Sequence, residues 1–458
     1  MKAKKAFFAL SFVLMGSMLV SACASPGTPT ESPQPTQAQA GPTQAQAAPT
    51  QGQAAPTEGA VPPVTIVVSS GGFGNNMTVG IAMYKATYPD RQVNMIVMPH
   101  DSMYDKLMTQ LTTHTGGVDC IPVEIPINLQ TMNPFLEPLQ PYIDKSPDLN
   151  FGQLLPPNIP AARYPYPDGQ IYTIPVRQGV DLLHYRSDLF TAAGVQPPTS
   201  FEDMVTVAQK LKTPGLYPLT MPLKQGTYGV NSFLDVYHGM GGAGILNKDL
   251  KQAALGPTAV KALQWMIDAV YKYQIVNPTD LNSQIEDVFT NMEKGRAAMG
   301  VISSGNIYNL DPDIVAKGGS IGYAELPYDA PAAGNGGVYW AYAFGINKDS
   351  QNKEGCWDLI KYLASNAPQV QMAIQSGNGP SLGTVFTDPA YLASPFSSAA
   401  AATKLATTYA LAKDPSPKYN QIVDIFAAEE SSALSQKETA QQAIDKATSA
   451  INALLSGS

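Results

Sequence analysis

Apolar and polar positions divide the 458-residue chain into three unlike stretches. Residues 6–20 form a mostly apolar run behind lysines at positions 2, 4 and 5. Residues 24–63 contain no aromatic residue and two charges, Glu31 and Glu58. From Val64 onward, short apolar runs alternate with amphipathic ones. Residues 64–68 read as a strand, 76–88 as a helix stopped by Pro89, and 92–98 as a second strand. Met103, Tyr104, Leu107, Met108 and Leu111 share one face of a helix that Asp101 or Ser102 would cap. Residues 119–123 form a third strand. Strand–helix–strand–helix–strand predicts parallel pairing with helices on both faces. The alternation returns with strands near 171–174, 180–185, 297–303, 321–326 and 338–346. Helices are expected over 257–273, 352–364, 418–430 and 436–455. That is too much α/β structure for one lobe of ordinary size, so two lobes are expected.

The first stretch is too short to span a bilayer and carries the flanks of a secretory signal. It ends Leu19-Val20-Ser21-Ala22-Cys23, which resembles the bacterial lipobox, whose cysteine thiol receives a diacylglycerol before cleavage. Residues 1–22 are thus expected to be a lipoprotein signal peptide and Cys23 the lipidation site, with two acyl chains giving stable anchoring. The alternative is a secreted protein with an incidental early cysteine. Residues 23–63 follow as a tether with nine prolines in 24–63 and a repeat starting at Pro35, Pro42, Pro49 and Pro56. Such a composition cannot bury a core, and as a coil it reaches about 35 Å.

Charge narrows the function. Charged residues make up 14% of the chain and the net charge is −8, falling to −11 once the three leading lysines are gone. The basic footprint of nucleic-acid binding is missing. Cys120 and Cys356, far apart in an exported chain, leave two readings open: buried free thiols or a bridge.

Several blocks, in order, resemble the extracellular solute-binding proteins of ABC importers, the group that includes maltose-binding and other sugar-binding lipoproteins. Lys85-Ala-Thr-Tyr-Pro-Asp-Arg-Gln-Val is similar to that family's helix-to-strand turn. Tyr104-Asp-Lys-Leu-Met-Thr-Gln-Leu, with Gly116-Gly-Val-Asp119, and Leu136-Glu-Pro-Leu-Gln-Pro-Tyr-Ile143 resemble two more of its blocks. The strongest block, Gly169-Gln-Ile-Tyr-Thr-Ile-Pro175, Leu183-His-Tyr-Arg-Ser-Asp-Leu-Phe190, Ala193-Gly194 and Pro197-Pro-Thr-Ser-Phe-Glu-Asp-Met204, is similar to a longer block of that family. Gly295-Arg-Ala-Ala-Met299 and Lys353-Glu-Gly-Cys-Trp357 resemble two later blocks. The resemblance, from Val64 to about Pro389, implies an α/β, two-lobed periplasmic-binding-protein-like fold with a hinge and an interlobe ligand cleft. By it, the chain crosses between lobes near 178–182, 340–343 and 379–382. Lobe one is then 64–179 with 343–380, and lobe two 181–341 with 381–458. It also implies capture of a small polar solute, most commonly a carbohydrate, and delivery to ABC permease subunits by a monomer held outside the cytoplasmic membrane.

Clefts in α/β sheets bind ligands beyond strand carboxyl ends. The glycine-rich run after the first strand puts Phe73 and Asn75 there, as a stacking ring and a hydrogen-bonding amide or as a plain turn. Glu124 and Asn128 follow the third strand, and Gln178 lies beside the first crossing. Tyr228 and Asn231 are candidates from lobe two. Trp340, in the aromatic run 336–342, is the leading stacking platform for sugar C–H faces, or else an alternate-position core residue with Tyr342. Where many sugar-binding members carry Gly-x-Trp after the Gly-Arg-Ala-Ala-Met block, this chain has Ser304 and Asn306, which can hydrogen-bond but not stack. Asn378 is a polar candidate near the last crossing, where Leu382 replaces a common arginine. Trp265 and Trp357 sit on amphipathic helices as core.

Gly239-Met-Gly-Gly-Ala-Gly244 matches G-x-G-x-x-G but follows a helical run, so a dinucleotide site is not expected. There is no G-x-x-x-x-G-K-[ST], H-E-x-x-H or G-x-S-x-G motif, and the four histidines lack metal-ligand spacing. No cofactor, metal or catalytic residue is expected. The competing class is an exported lipoprotein enzyme acting on glycans through scattered carboxylates; a third is a surface protein that kept the fold and lost transport.

Overall fold

Runs such as Val64–Ser69 are apolar at nearly every position because both faces of their sheet are covered. The computed structural model describes residues 61–457 apart from 116, 150, 310, 331–336 and 378. The leader, most of the tether, Cys23 and Asn378 therefore lie outside the described residues. The strands are β1 (Val64–Ser69), β2 (Val93–Met98), β3 (Cys120–Ile125), β4 (Arg163–Tyr164), β5 (Gln170–Ile171) and β6 (Ile174–Arg186). They continue as β7 (Leu219–Thr220), β8 (Met299–Ser303), β9 (Ile321–Ala324), β10 (Val338–Ile346) and β11 (Leu411–Ala412). The main sheet runs β2-β1-β3-β10-β6-β8-β7, with β11 on β10 and β9 on β6, while β4 and β5 form a separate pair.

β1 pairs in parallel with β2 and β3, as the alternation predicts. Ile66 and Val68 point into a core with Met77, Tyr84, Trp357 and Ile360, beneath the helices Gly72–Thr87 and Lys353–Leu363. Val67, between them, points the other way, toward Met103, Leu107 and Leu111 of the helix His100–Thr112. The second lobe has its own core, where Phe233, Leu263 and Phe426 bring together the helices Thr227–Gly239, Pro257–Tyr271 and Tyr419–Leu434. The last helix, Ala440–Ser456, starts on a capping box of Thr439 and Gln442. Trp357 is buried, as expected, and its Nε1 donates to Ser146 Oγ at 3.0 Å.

Two strands tie the lobes together. β6 is one strand of 13 residues where two separate strands near 171–174 and 180–185 were expected. Its first half pairs with β10 and its second half with β8 and β9. In the fold Pro175 sits where the β6–β10 register shifts, so its missing N–H costs no ladder bond there. Gln178 N–H donates to Gly379 O at 3.0 Å, tying β6 to the segment where the last crossing is expected. Beyond it, Leu382, Val385, Phe386 and Tyr391 pack on Leu154, Leu155, Val370 and Ala373 before the chain reaches its terminal helices. Cys120 and Cys356 are joined as a disulfide.

Candidate functional site

A cleft of about 990 Å³ lies between the two halves of the molecule, in the upper part of the range for small-molecule sites. Seven of the sequence candidates meet on it: Phe73, Asn75, Glu124, Tyr228, Asn231, Asn306 and Trp340. The helix Gly72–Thr87 begins earlier than the sequence suggests, so Phe73 falls in its first turn rather than in a loop. Its buried ring stacks on Tyr342 with centroids 4.6 Å apart, while Asn75 is exposed at the mouth. Tyr228 and Asn231 come from the first turns of the helix Thr227–Gly239, and Tyr228 is 46% exposed.

Three candidates are placed elsewhere. Gln178 is fully buried behind the cleft, accepting from Asn158 Nδ2 at 3.2 Å and donating to Thr407 Oγ1 at 3.4 Å. It braces the crossing. Ser304 is buried as well, and its Oγ accepts from Val180 N–H at 3.2 Å. Asn128 leads into the short helix Leu129–Met132, its N–H donating to Glu124 O at 2.9 Å, and is not on the cleft wall. Asn378 lies outside the described residues.

Trp340 holds its place through three contacts. Its Nε1 donates to Ser303 Oγ at 2.9 Å. The Arg177 guanidinium lies over its ring at 4.6 Å and near the Tyr342 ring at 5.7 Å. The benzo edge packs on bare glycine backbone: a Cβ at Gly179 would fall inside the radii of the indole and of Ser303 Oγ, and one at Gly305 would reach the indole at 2.7 Å. Gly179→Ala is therefore expected to destabilise the fold by about 1–3 kcal/mol through overpacking. Thermal melting and Trp fluorescence of the variant check this; an unshifted midpoint with an unshifted spectrum would refute it.

The floor is charged, and sequence reading missed most of it. Arg177 and Asp181 project from β6, Asp235 from the helix Thr227–Gly239, and Lys413 from just past β11. Lys413 Nζ pairs with Glu124 Oε1 at 3.1 Å, with both side chains nearly buried. Arg177 Nη2 donates to Gly305 O at 3.1 Å. Burial lifts the Asp181 carboxyl to about 7, partly offset by the Lys413 charge. Burial and then the Asp181 charge hold Asp235 well above the usual carboxylate range. The signal that could have found Asp181 and Asp235 is a lone acid inside an otherwise apolar run, Gly-Val-Asp-Leu-Leu in one case and Phe-Leu-Asp-Val-Tyr in the other.

The Gly239–Gly244 run ends a helix and turns back, with Gly241 and Gly244 at positive φ. That is the sharp turn glycine permits, not a phosphate cradle opening a helix. Among the described residues no cluster of metal ligands occurs, and no helix is long and apolar enough to cross a membrane.

Two lobes share one sheet, crossed by β6 and β10, with an aromatic and polar cleft between them. Residues 70–370 match the bacterial extracellular solute-binding protein family. The chain belongs to that family. A relative, the sn-glycerol-3-phosphate-binding periplasmic protein of Brucella melitensis biotype 1, is 25% identical over 228 residues, 47% of this chain and 50% of the relative. The chain thus spans about half the length of the curated relatives it matches first. Among solved structures, maltose-bound MalE3 of T. maritima superposes with a TM-score of 0.74 at 24% identity, covering 86% of this chain and 99% of that one. A solute-binding protein of Agrobacterium radiobacter K84 in complex with ribitol gives 0.72 at 23% identity, covering 86% and 98%. This family is one of binding proteins and places the chain's fold outside the cytoplasmic membrane.

Proposed function

We propose that the chain is the capture subunit of an ABC importer, taking a small polyhydroxylated solute such as a sugar, oligosaccharide or sugar alcohol and handing it to membrane permease subunits. The observation that carries this reading is the cleft itself. Trp340 and Tyr228 offer rings to C–H faces, while Asn75, Asn231, Asn306 and the carboxylates offer groups that bond hydroxyls. Closure of the two lobes about β6 and β10 is the switch: a solute that touches both walls only when they approach shifts the population to the closed form by its differential affinity.

The lobes in this reading are 64–179 with 343–380 and 181–341 with 381–458. Cys23, lipidated, anchors a monomer, and residues 23–63 are the tether that lets the head reach the permease. A phosphate ester, the cargo named for the Brucella relative, suits this cleft poorly. Its carboxylates include Glu124, Asp181, Asp235, Glu286 and Glu293, while two of its three cations, Lys413 and Arg177, are engaged by Glu124 and by Gly305 O.

A thermal-shift screen of the purified chain against sugars, oligosaccharides, polyols and amino acids tests the proposal. A ligand at about 100 times its dissociation constant adds roughly 2.7 kcal/mol, a shift of several degrees. Trp340→Ala is expected to weaken binding of the responding solute about tenfold by calorimetry. No response to any polyhydroxylated compound would overturn the reading.

A further inference from the structure

On the cleft floor Asp181 of β6 and Asp235 of the helix Thr227–Gly239 lie within hydrogen-bonding reach of one another. Asp235 is 4% exposed. Its Oδ1 accepts from Val338 N–H at 2.7 Å, and its Oδ2 has no hydrogen-bond partner. Two carboxyls in contact repel unless they share a proton or gain a cation. Both neighbouring cations serve other partners: Lys413 is paired with Glu124, so its charge offsets Asp181 only in part, and Arg177 is held by Gly305 O and the Trp340 ring. A carboxyl pair whose charge Lys413 offsets only in part thus lines the space where the solute binds, beside an aromatic wall of Trp340 and Tyr342.

We propose that the captured solute carries an amine, an amino-sugar or amino-polyol whose ammonium group seats between Asp181 and Asp235. This inference rests on the cleft being the capture site and adds the chemical class of its cargo. A hydroxyl can donate once to Asp235 Oδ2 but brings no charge to offset what remains on the pair. An ammonium supplies three donors and a positive charge in a desolvated setting, where charge-assisted bonds are about twice as strong as neutral ones. On binding, the proton shared by the two carboxyls leaves to solvent, and the amine enters as its ammonium form, so charge balances.

Paired probes differing only in the amine test the proposal on the full chain purified in mild detergent at pH 7. The pairs are D-glucosamine with D-glucose, glucamine with sorbitol, and chitosan oligomers with cello-oligosaccharides of equal length. In at least one pair the amine member should bind about tenfold or more tightly by calorimetry. Its binding should release a fraction of a proton approaching one, read from the heat in buffers of different ionisation enthalpy, and the neutral member should release none. Asp235→Asn and Asp181→Asn should collapse the ratio within the pair. Neutral members binding as tightly as their amines, without proton release, would overturn the amine assignment and leave the capture role standing. Silence from both members of every pair would overturn both.

Discussion

Between pH 5 and pH 8 the melting temperature of this protein should fall by several degrees, against the behaviour of a fold stabilised by ionised surface carboxylates. The cause is a set of buried acids. Glu430 is 2% exposed, its Oε1 has no hydrogen-bond partner, and burial lifts its carboxyl from 4.5 to about 8. Burial likewise lifts Asp280 and Asp414 to about 6, against bonds from Thr220 and Met221 in one case and Leu246 and Ile245 in the other. Below about pH 4 such groups are protonated in folded and unfolded chains alike, and they cost the fold little. As pH rises the unfolded chain releases its protons first, and the fold must keep a proton or bury a charge. Stability is therefore lost progressively until the pH passes the folded value, about 8 for Glu430 and about 6 for the two aspartates. Glu430 alone is expected to contribute on the order of 3–5 kcal/mol to this slope.

His184 works the other way. Fully buried against Tyr323, with burial lowering its value to about 3, it stays neutral in the fold while the unfolded chain takes up a proton below about 6.5. One such group opposes at least three acids, so the net slope between pH 5 and pH 8 remains downward. Glu430→Gln should flatten the profile, raising the midpoint at pH 8 and changing it little at pH 5. Differential scanning calorimetry across this range decides the matter. A flat wild-type profile, or a variant profile parallel to wild type, would remove Glu430 as the cause.

What sequence could say about this molecule follows from where each signal is local. The α/β alternation from Val64 onward is a local periodicity, and the parallel β1–β2 pairing and the helix Lys353–Leu363 match it. β6 runs unbroken where two strands were expected, although Pro175 and Gly179 are poor strand residues in isolation. Only the partner strand explains them, through a register shift at one and the Trp340 indole at the other. The cleft shows the same division. Trp340, Tyr228 and Asn231 stand out as polar or aromatic residues beside loops and helix starts. Gln178 stood out for the same reason, yet its amide is spent on Asn158 and Thr407 across a crossing no local pattern shows. Lys413 escaped notice altogether, since β11 is two residues long and only its pairing with β10 carries the lysine to Glu124.

The disulfide is the other feature the sequence left open, and removing it should be costly. Cys120 opens β3 in the middle of the first lobe's sheet, and Cys356 lies on the helix packed over it; both are fully buried. The bond closes a loop of 236 residues. A bridge of that span restricts the unfolded chain by about 5 kcal/mol in the chain-entropy view, and removals typically cost about 2–5 kcal/mol. Cys120→Ala and Cys356→Ala should each lower the melting midpoint by several degrees. The decisive reading is the double variant. Either substitution alone breaks the same bond, so the double should cost little more than the costlier single, a strong departure from additivity. Costs that instead add across the two singles would mean each cysteine contributes only its own packing, as two buried thiols would. An exported chain makes the bonded state the one expected to persist, and the same non-additivity should vanish when all three variants are compared with wild type under reducing conditions. Loss of the bridge should also loosen the seat of β3, whose far end carries Glu124 to Lys413 on the cleft floor. A weaker response of both single variants to the solute that stabilises wild type would then follow from the same broken bond.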